Sequence, residues 1–204
     1  MKMRITGAVI LSGMALIFTV GCSSLPQEQI DAANTAIEEA KAAGAELYIP
    51  DDYFALQDSM KSVMENIEAE KSKFIKDFGS AEKQLEAIAL QAGEVTTRTE
   101  TRKEELRQEI QSTIDQVTAL IEANRQLVLE APKGKEGTSV LMAIGNELNT
   151  IEQSVQEAQT MLEQGEFLTT LNKAVGARDQ AQELNRELEE VISKYKANVK
   201  ARKT

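Results

Sequence analysis

Apolar side chains recur at intervals of three and four residues through most of the chain between Gln27 and Tyr195, and only three prolines interrupt its 204 residues. Such a repeat sits close to the 3.6-residue turn of an α-helix, so it gathers apolar groups on one face and leaves the other to water. No stretch shows the period of two that a half-buried strand needs. With eleven glycines in the whole chain, turns are few. Ala, Glu, Gln, Leu and Lys dominate, as they do in long helices and coiled coils. The expected fold is all-α: an elongated antiparallel helical bundle, or a set of helical hairpins, with coiled-coil-like seams.

Five helices are expected. The first runs from Gln27 to Ala43, with Ser24 as its cap and Pro26 in its first turn. It carries Ile30, Ala33, Ile37 and Ala40 on one face. Gly44 ends it, Leu47 and Ile49 tuck inward, and Pro50 with Asp51 or Asp52 opens the second helix. The second stripe is Tyr53, Leu56, Met60, Val63, Ile67, Phe74 and Phe78, stopped at Gly79, with Ser80 capping the next helix. The third helix spans Ala81 to Glu130. Its first half carries Leu85, Ile88, Ala92 and Val95, and Gly93 marks a kink. After a polar stretch its second half is a heptad seam of Leu106, Ile110, Thr113, Val117, Leu120, Asn124 and Leu127. Asn124 on a seam position fixes register at some cost in stability. Residues 131–137 form a loop. The fourth helix starts near Thr138 or Ser139 and carries Leu141, Ile144, Leu148, Ile151, Val155, Ala158 and Leu162. A tight turn at Gln164–Glu166 leads to the fifth, with Phe167, Leu171, Ala174, Ala181, Leu184, Leu188, Val191 and Tyr195. So short a turn makes the last two helices the most secure antiparallel pair.

The first residues carry a different signal. Lys2 and Arg4 precede a mostly apolar stretch from Ile5 to Val20, which ends at Gly21-Cys22. A charged start, an apolar middle and a small-residue site form a secretory signal. A cysteine directly after Gly21 makes it a lipoprotein signal, with Gly21 and Cys22 flanking the cleaved bond and the Cys22 thiol carrying the lipid. Thr19 stands where such signals usually have Leu. Two other readings stand beside this one: an uncleaved anchor, and ordinary secretion with a free thiol. The stretch is short for a span of about 20 apolar residues, and Gly7, Ser12 and Gly13 interrupt it. The only cysteine of an exported chain has no internal partner, and lipidation accounts for both its number and its place. The chain then divides into a signal over residues 1–21, a lipidated tether over 22–26, a helical region over 27–130 and a C-terminal hairpin over 138–200. Ser23, in place of an Asp, leans towards the outer membrane, facing the periplasm.

Composition narrows the chemistry. Without residues 1–21 the chain has 21 basic and 33 acidic residues, a charge of −12, which repels nucleic acid and anionic surfaces. There is no histidine, so imidazole catalysis and most transition-metal sites are closed to it. Paired carboxylates such as Glu38-Glu39, Asp51-Asp52 and Glu189-Glu190 are neighbours in sequence, which point apart on a helix. Calcium-loop spacing is missing at Asp51-Asp52. Lys133-Gly134-Lys135 lacks the surroundings of a phosphate loop. No enzyme activity, cofactor or metal is expected.

At Ala40-Lys-Ala-Ala-Gly-Ala-Glu-Leu-Tyr-Ile-Pro-Asp-Asp-Tyr53 the chain resembles the bacterial domain-of-unknown-function family 4398. The pattern is an alanine-rich helix, a Gly-Ala-x-x-Tyr-x-Pro turn and a second amphipathic helix. Gly44, Ala45, Tyr48 and Pro50 occupy the turn positions, and Gly165-Glu-Phe167 matches a later part. The resemblance covers roughly Gln27 to Ile67 and is weaker over the last third, with the long middle helix as an insertion. It implies a helical fold and an envelope location, and no activity. Read from its chemistry alone, Tyr48 is a partner contact or, more commonly for a tyrosine, a packing residue.

The final segment is basic: Lys194, Lys196, Lys200, Arg202 and Lys203 fall within the last eleven residues, with no acid among them. Favourable charge at a helix C-terminus accounts for such a run; contact with an anionic envelope polymer or acidic partner is the sharper reading. The expected function is a membrane-anchored lipoprotein of the envelope with a structural or protein-interaction role. Its partners would be the membrane through the lipid, a protein or a second copy, and peptidoglycan, but not nucleic acid. The alternative is a helical binding module for a cell-wall component or apolar ligand.

Overall fold

A computed structural model describes residues 24–131 and 135–201, with side chains of the helix after the gap described from Ser139. Among the described residues the fold is all-α, with six helices and no strand: α1 (Gln27–Ala42), α2 (Ala45–Tyr48), α3 (Pro50–Lys71), α4 (Gly79–Glu130), α5 (Lys135–Glu163) and α6 (Phe167–Ala201). Five of them are long, as the spacing predicts. The additional one, α2, is a single turn inside the Gly44–Pro50 connection. Gly44 reaches φ +94°, which reverses the chain after α1, and its carbonyl accepts the Leu47 and Tyr48 N–H groups.

The 52-residue α4 organises everything else. At about 1.5 Å per residue it is about 78 Å long. Along its first half, α1 lies parallel: Gln29 and Ala32 share a groove with Leu85, Glu86, Ala89 and Leu90, while Gly44 sits beside Lys103. The antiparallel α3 carries Asp52, whose carboxylate meets Arg98 at 2.6 Å, and Ser62 and Val63 lie against Gln84 and Ile88. Along the second half of α4, α5 runs antiparallel, with Arg125 bridging to Glu152 at 2.7 Å. Then α6 returns parallel to α4.

Two cores result, end to end on one helix. The first joins Ile30, Ile37, Tyr53, Leu56, Val63 and Ile67 to Phe78, Leu85, Ile88 and Val95. The second joins Ile110, Ile114, Val117 and Ile121 to Leu148, Ile151, Val155, Leu184 and Leu188. They meet within α4, whereas the loop after residue 131 separates helices that share one core. At the junction Leu106 is completely buried. Here the α1–α3 turn abuts the α5–α6 turn. The Tyr48 ring lies 6.3 Å from that of Phe167, its hydroxyl is 3.5 Å from the Gly165 carbonyl, and Lys103 Nζ sits 5.5 Å over its face. Tyr48 is therefore a packing residue, as its chemistry suggests.

Several details depart from the sequence reading, each for a physical reason. The second helix ends at Lys71, and residues 72–78 form a loop. Phe74 is fully exposed there, while Phe78 is buried under the start of α4. Asp77 Oδ1 accepts the Gly79 N–H at 3.0 Å, so Gly79 begins a helix instead of ending one, and Ser80 is not its cap. Gly93 leaves α4 unbroken. Leu47 is exposed, whereas Ile49 packs against the first core. Pro50 and the two aspartates occupy the first turn of α3, behind Ile49 at its cap. In the second half of α4, Leu120 and Leu127 are half-buried, and Ile114 and Ile121 are buried beside the expected seam. A helix packed against two partners needs a wider apolar face than a two-stranded seam provides. On α6 the stripe passes to Ile192, leaving Val191 and Tyr195 about half exposed.

Asn124 is completely buried on its seam position. Its Nδ2 donates to the Ala181 carbonyl at 2.8 Å, and Asn185 Nδ2 donates to its Oδ1 at 2.7 Å. A buried amide with partners on both sides tolerates only one alignment of α6 against α4.

Candidate functional site

Of the residues singled out by sequence, the described lysines Lys194, Lys196 and Lys200 lie towards one end of this rod. Gly21, Cys22 and the whole of residues 1–21 fall outside the described residues. The chain enters at Ser24-Leu25-Pro26, where Pro26 is buried and its carbonyl accepts the Ile30 N–H. By the register of α1 on α4, this entry point lies level with the start of α4. The α3–α4 loop lies at the same end.

The basic segment lies at the opposite end, because α6 runs away from the junction. Lys194 pairs with Glu190 one turn back, and Lys196 Nζ reaches Glu130, the last residue of α4, at 3.3 Å. Lys200 is exposed in the last turn. Arg202 and Lys203 lie outside the described residues. Two of the three described lysines thus already face carboxylates of this chain. Both pairs are exposed, where an ion pair is worth little and exchanges readily. Next to this end Leu129 and Met142 line a shallow groove between α4 and α5, and Val140 is also exposed.

Several carboxylates form surface ion pairs, among them Asp52 with Arg98, Glu104 with Arg107 and Glu190 with Lys194. Glu104 has the most displaced proton affinity, lowered to about 2 by hydrogen bonds from Arg107 and Gln108 with the Arg107 charge beside it. It is exposed to solvent on α4. Glu190 is lowered by the hydrogen bond from Lys194. Neither faces a second carboxylate across a cleft, the geometry that acid–base chemistry would use. Among the described residues, no three acidic, cysteine or histidine side chains cluster in a way that could hold a metal ion, and no helix is long and apolar enough to cross a membrane. The grooves that they form are open to solvent. Signals for the two ends were present in the sequence, except at the α3–α4 loop, where an apolar spacing of three and four disguised exposed residues as core.

No family model matches the chain, and no significant match to a curated protein or a solved structure was found.

Proposed function

We propose that this chain is a lipoprotein of the cell envelope, anchored through Cys22 and facing the periplasm from the outer membrane, with a structural or protein-interaction role. A relationship to the domain-of-unknown-function family 4398 belongs to the same reading. The observation that carries it is polarity. The chain's entry point and its basic terminus lie at opposite ends of a helical rod at least as long as α4. A lipid on Cys22 would hold one end at a bilayer, since several acyl chains at about 0.8 kcal/mol per buried methylene make release negligible. The other end would then carry Lys194, Lys196 and Lys200, which Arg202 and Lys203 follow in sequence, near the exposed Leu129 and Met142 and well away from that surface. An anionic wall polymer or an acidic protein face suits the lysines, and an apolar partner surface suits the groove.

Mass spectrometry of the native protein tests the anchor: a chain beginning at Cys22 with a diacylglyceryl and an acyl group is expected. The Cys22→Ser variant should leave the membrane fraction or stay unprocessed. An N-terminus at Met1, or an unmodified sulfur at residue 22, overturns the proposal. Deleting residues 194–204 should abolish co-sedimentation with cell-wall material; unchanged sedimentation removes the basic end from it.

A further inference from the structure

We infer that the α3–α4 loop is a second membrane contact, in which Phe74 and Ile75 enter the interfacial layer of the bilayer that holds the lipid anchor. The inference rests on the proposed anchoring at Cys22 and adds to it a surface of the folded domain. Phe74 is 103% exposed and Ile75 82%, the two largest exposures among the large apolar residues described. They are consecutive residues of the α3–α4 loop, in Lys71-Ser-Lys-Phe-Ile-Lys76. Leaving a phenyl ring and a sec-butyl group in water is unfavourable, and nothing among the described residues covers them.

Charge and position identify the occupant. Lys71, Lys73 and Lys76 flank the two apolar residues in a chain whose net charge without residues 1–21 is −12. Glu68, Glu70 and Asp77 lie close by in sequence. Lys71 pairs with Glu68 at 2.6 Å and Lys73 with Glu70 at 2.5 Å. Asp77 turns back to the start of α4 to accept the Gly79 N–H. The two lysine pairs are solvent-exposed, so either ammonium can turn to a lipid phosphate at little cost. Apolar residues flanked by long cationic side chains suit an interface whose lower layer is hydrocarbon and whose upper layer is phosphate. The loop is also at the correct end. The first described residues, Ser24 to Pro26, lie level with the start of α4, and Cys22 is three residues before Leu25, a reach of about 10 Å. Two apolar side chains would bind a bilayer weakly if free. Beside an anchored terminus their effective concentration at the surface is high. Contact at two places, lipid and loop, would hold the rod upright.

The chain has no tryptophan, so Phe74→Trp introduces a single indole, which can be excited apart from the three tyrosines. The lipidated variant beginning at Cys22 is reconstituted into vesicles of phosphatidylethanolamine and phosphatidylglycerol, with or without brominated acyl chains. A Leu129→Trp variant serves as the comparison at the far end. The indole at position 74 should emit to the blue of its wavelength in detergent-free buffer and lose most of its intensity to the bromines, while the indole at position 129 should do neither. Adding Lys73→Glu and Lys76→Glu to the Phe74→Trp variant should reduce its quenching. Protein that floats with the vesicles but shows equal quenching at the two positions overturns the loop contact and leaves the anchor standing. Protein that does not float overturns both.

Discussion

Replacing Asn124 by Ala should destabilise the second core more than any change to the surface of α4. The side chain is completely buried and takes part in two hydrogen bonds, to the Ala181 carbonyl and from Asn185. Each is worth about 0.5–1.5 kcal/mol net, and the space left behind adds a cavity term, so a loss of about 2–4 kcal/mol is expected. In a domain of this size that lowers Tm by about 5–15 °C. Asn124→Leu separates the two contributions. Leucine fills the volume, Ala181 keeps the N–H bond of its own helix, and the half-buried Asn185 can turn to water. That variant should stay within about 1.5 kcal/mol of the parent. Asn185→Ala leaves the Asn124 oxygen buried and unpaired, at a cost of about 1–3 kcal/mol, and the Asn124→Ala/Asn185→Ala cycle should show coupling of about 0.5–3 kcal/mol. Thermal and urea unfolding followed by far-UV circular dichroism reads all of these. An Asn124→Ala protein melting within about 1 °C of the parent would refute the reasoning.

Three further outcomes follow from the same geometry. Leu106→Ala, at the completely buried junction between the cores, should cost about 2–5 kcal/mol by urea unfolding, since neither turn can close over the space. Gly44→Ala should cost more than Gly165→Ala in the same assay. Both positions have positive φ, +94° and +79°, a backbone cost of about 1–2 kcal/mol for any other residue. Only at Gly44 would a Cβ also press the Tyr48 ring at 3.2 Å, while at Gly165 it meets open space. The carboxylate of Glu104, held down to about 2, contributes stability that is present above the ordinary value of 4.5 and disappears as pH falls from there towards 2. Because the pair is in water the contribution is small and fades with salt. Urea midpoints of the parent and of Glu104→Gln should therefore converge between pH 4.5 and about 2; a gap that widens there contradicts the assignment.

The helical class and four of the five long helices, apart from the start of α5 at Lys135 inside the expected loop, are legible because a 3.6-residue apolar period persists over many turns and few other structures satisfy it. Asn124 was legible for a related reason: a polar residue on an otherwise apolar seam stands out. The end of the second helix is hidden in the sequence because Phe74 and Phe78 continue its spacing past the true stop at Lys71. Spacing cannot tell a helix face from a loop whose apolar residues fall on the same numbers. A single heptad seam is too narrow for α4 because it allows for one partner, and the second buried row, Ile114 and Ile121, answers to another. The short helix α2 follows from a reversal at Gly44 that the turn residues announce without fixing its geometry. Neither the parallel placement of α1 and α6 nor the meeting of the two turns at Tyr48 could be read from periodicity, since both are choices of topology.

Because a single unbroken helix belongs to both cores, tension applied between the chain's two termini has no hinge to act on. Force entering at Pro26 passes sideways from α1 into α4 across one packed face, and leaves sideways from α4 into α6 across another, where Asn124 locks the sliding direction. Interfaces loaded along their length yield by shear, with many contacts strained together, whereas a hairpin pulled from one end peels open a turn at a time. This arrangement would let the protein transmit a pull over its full span without first unravelling.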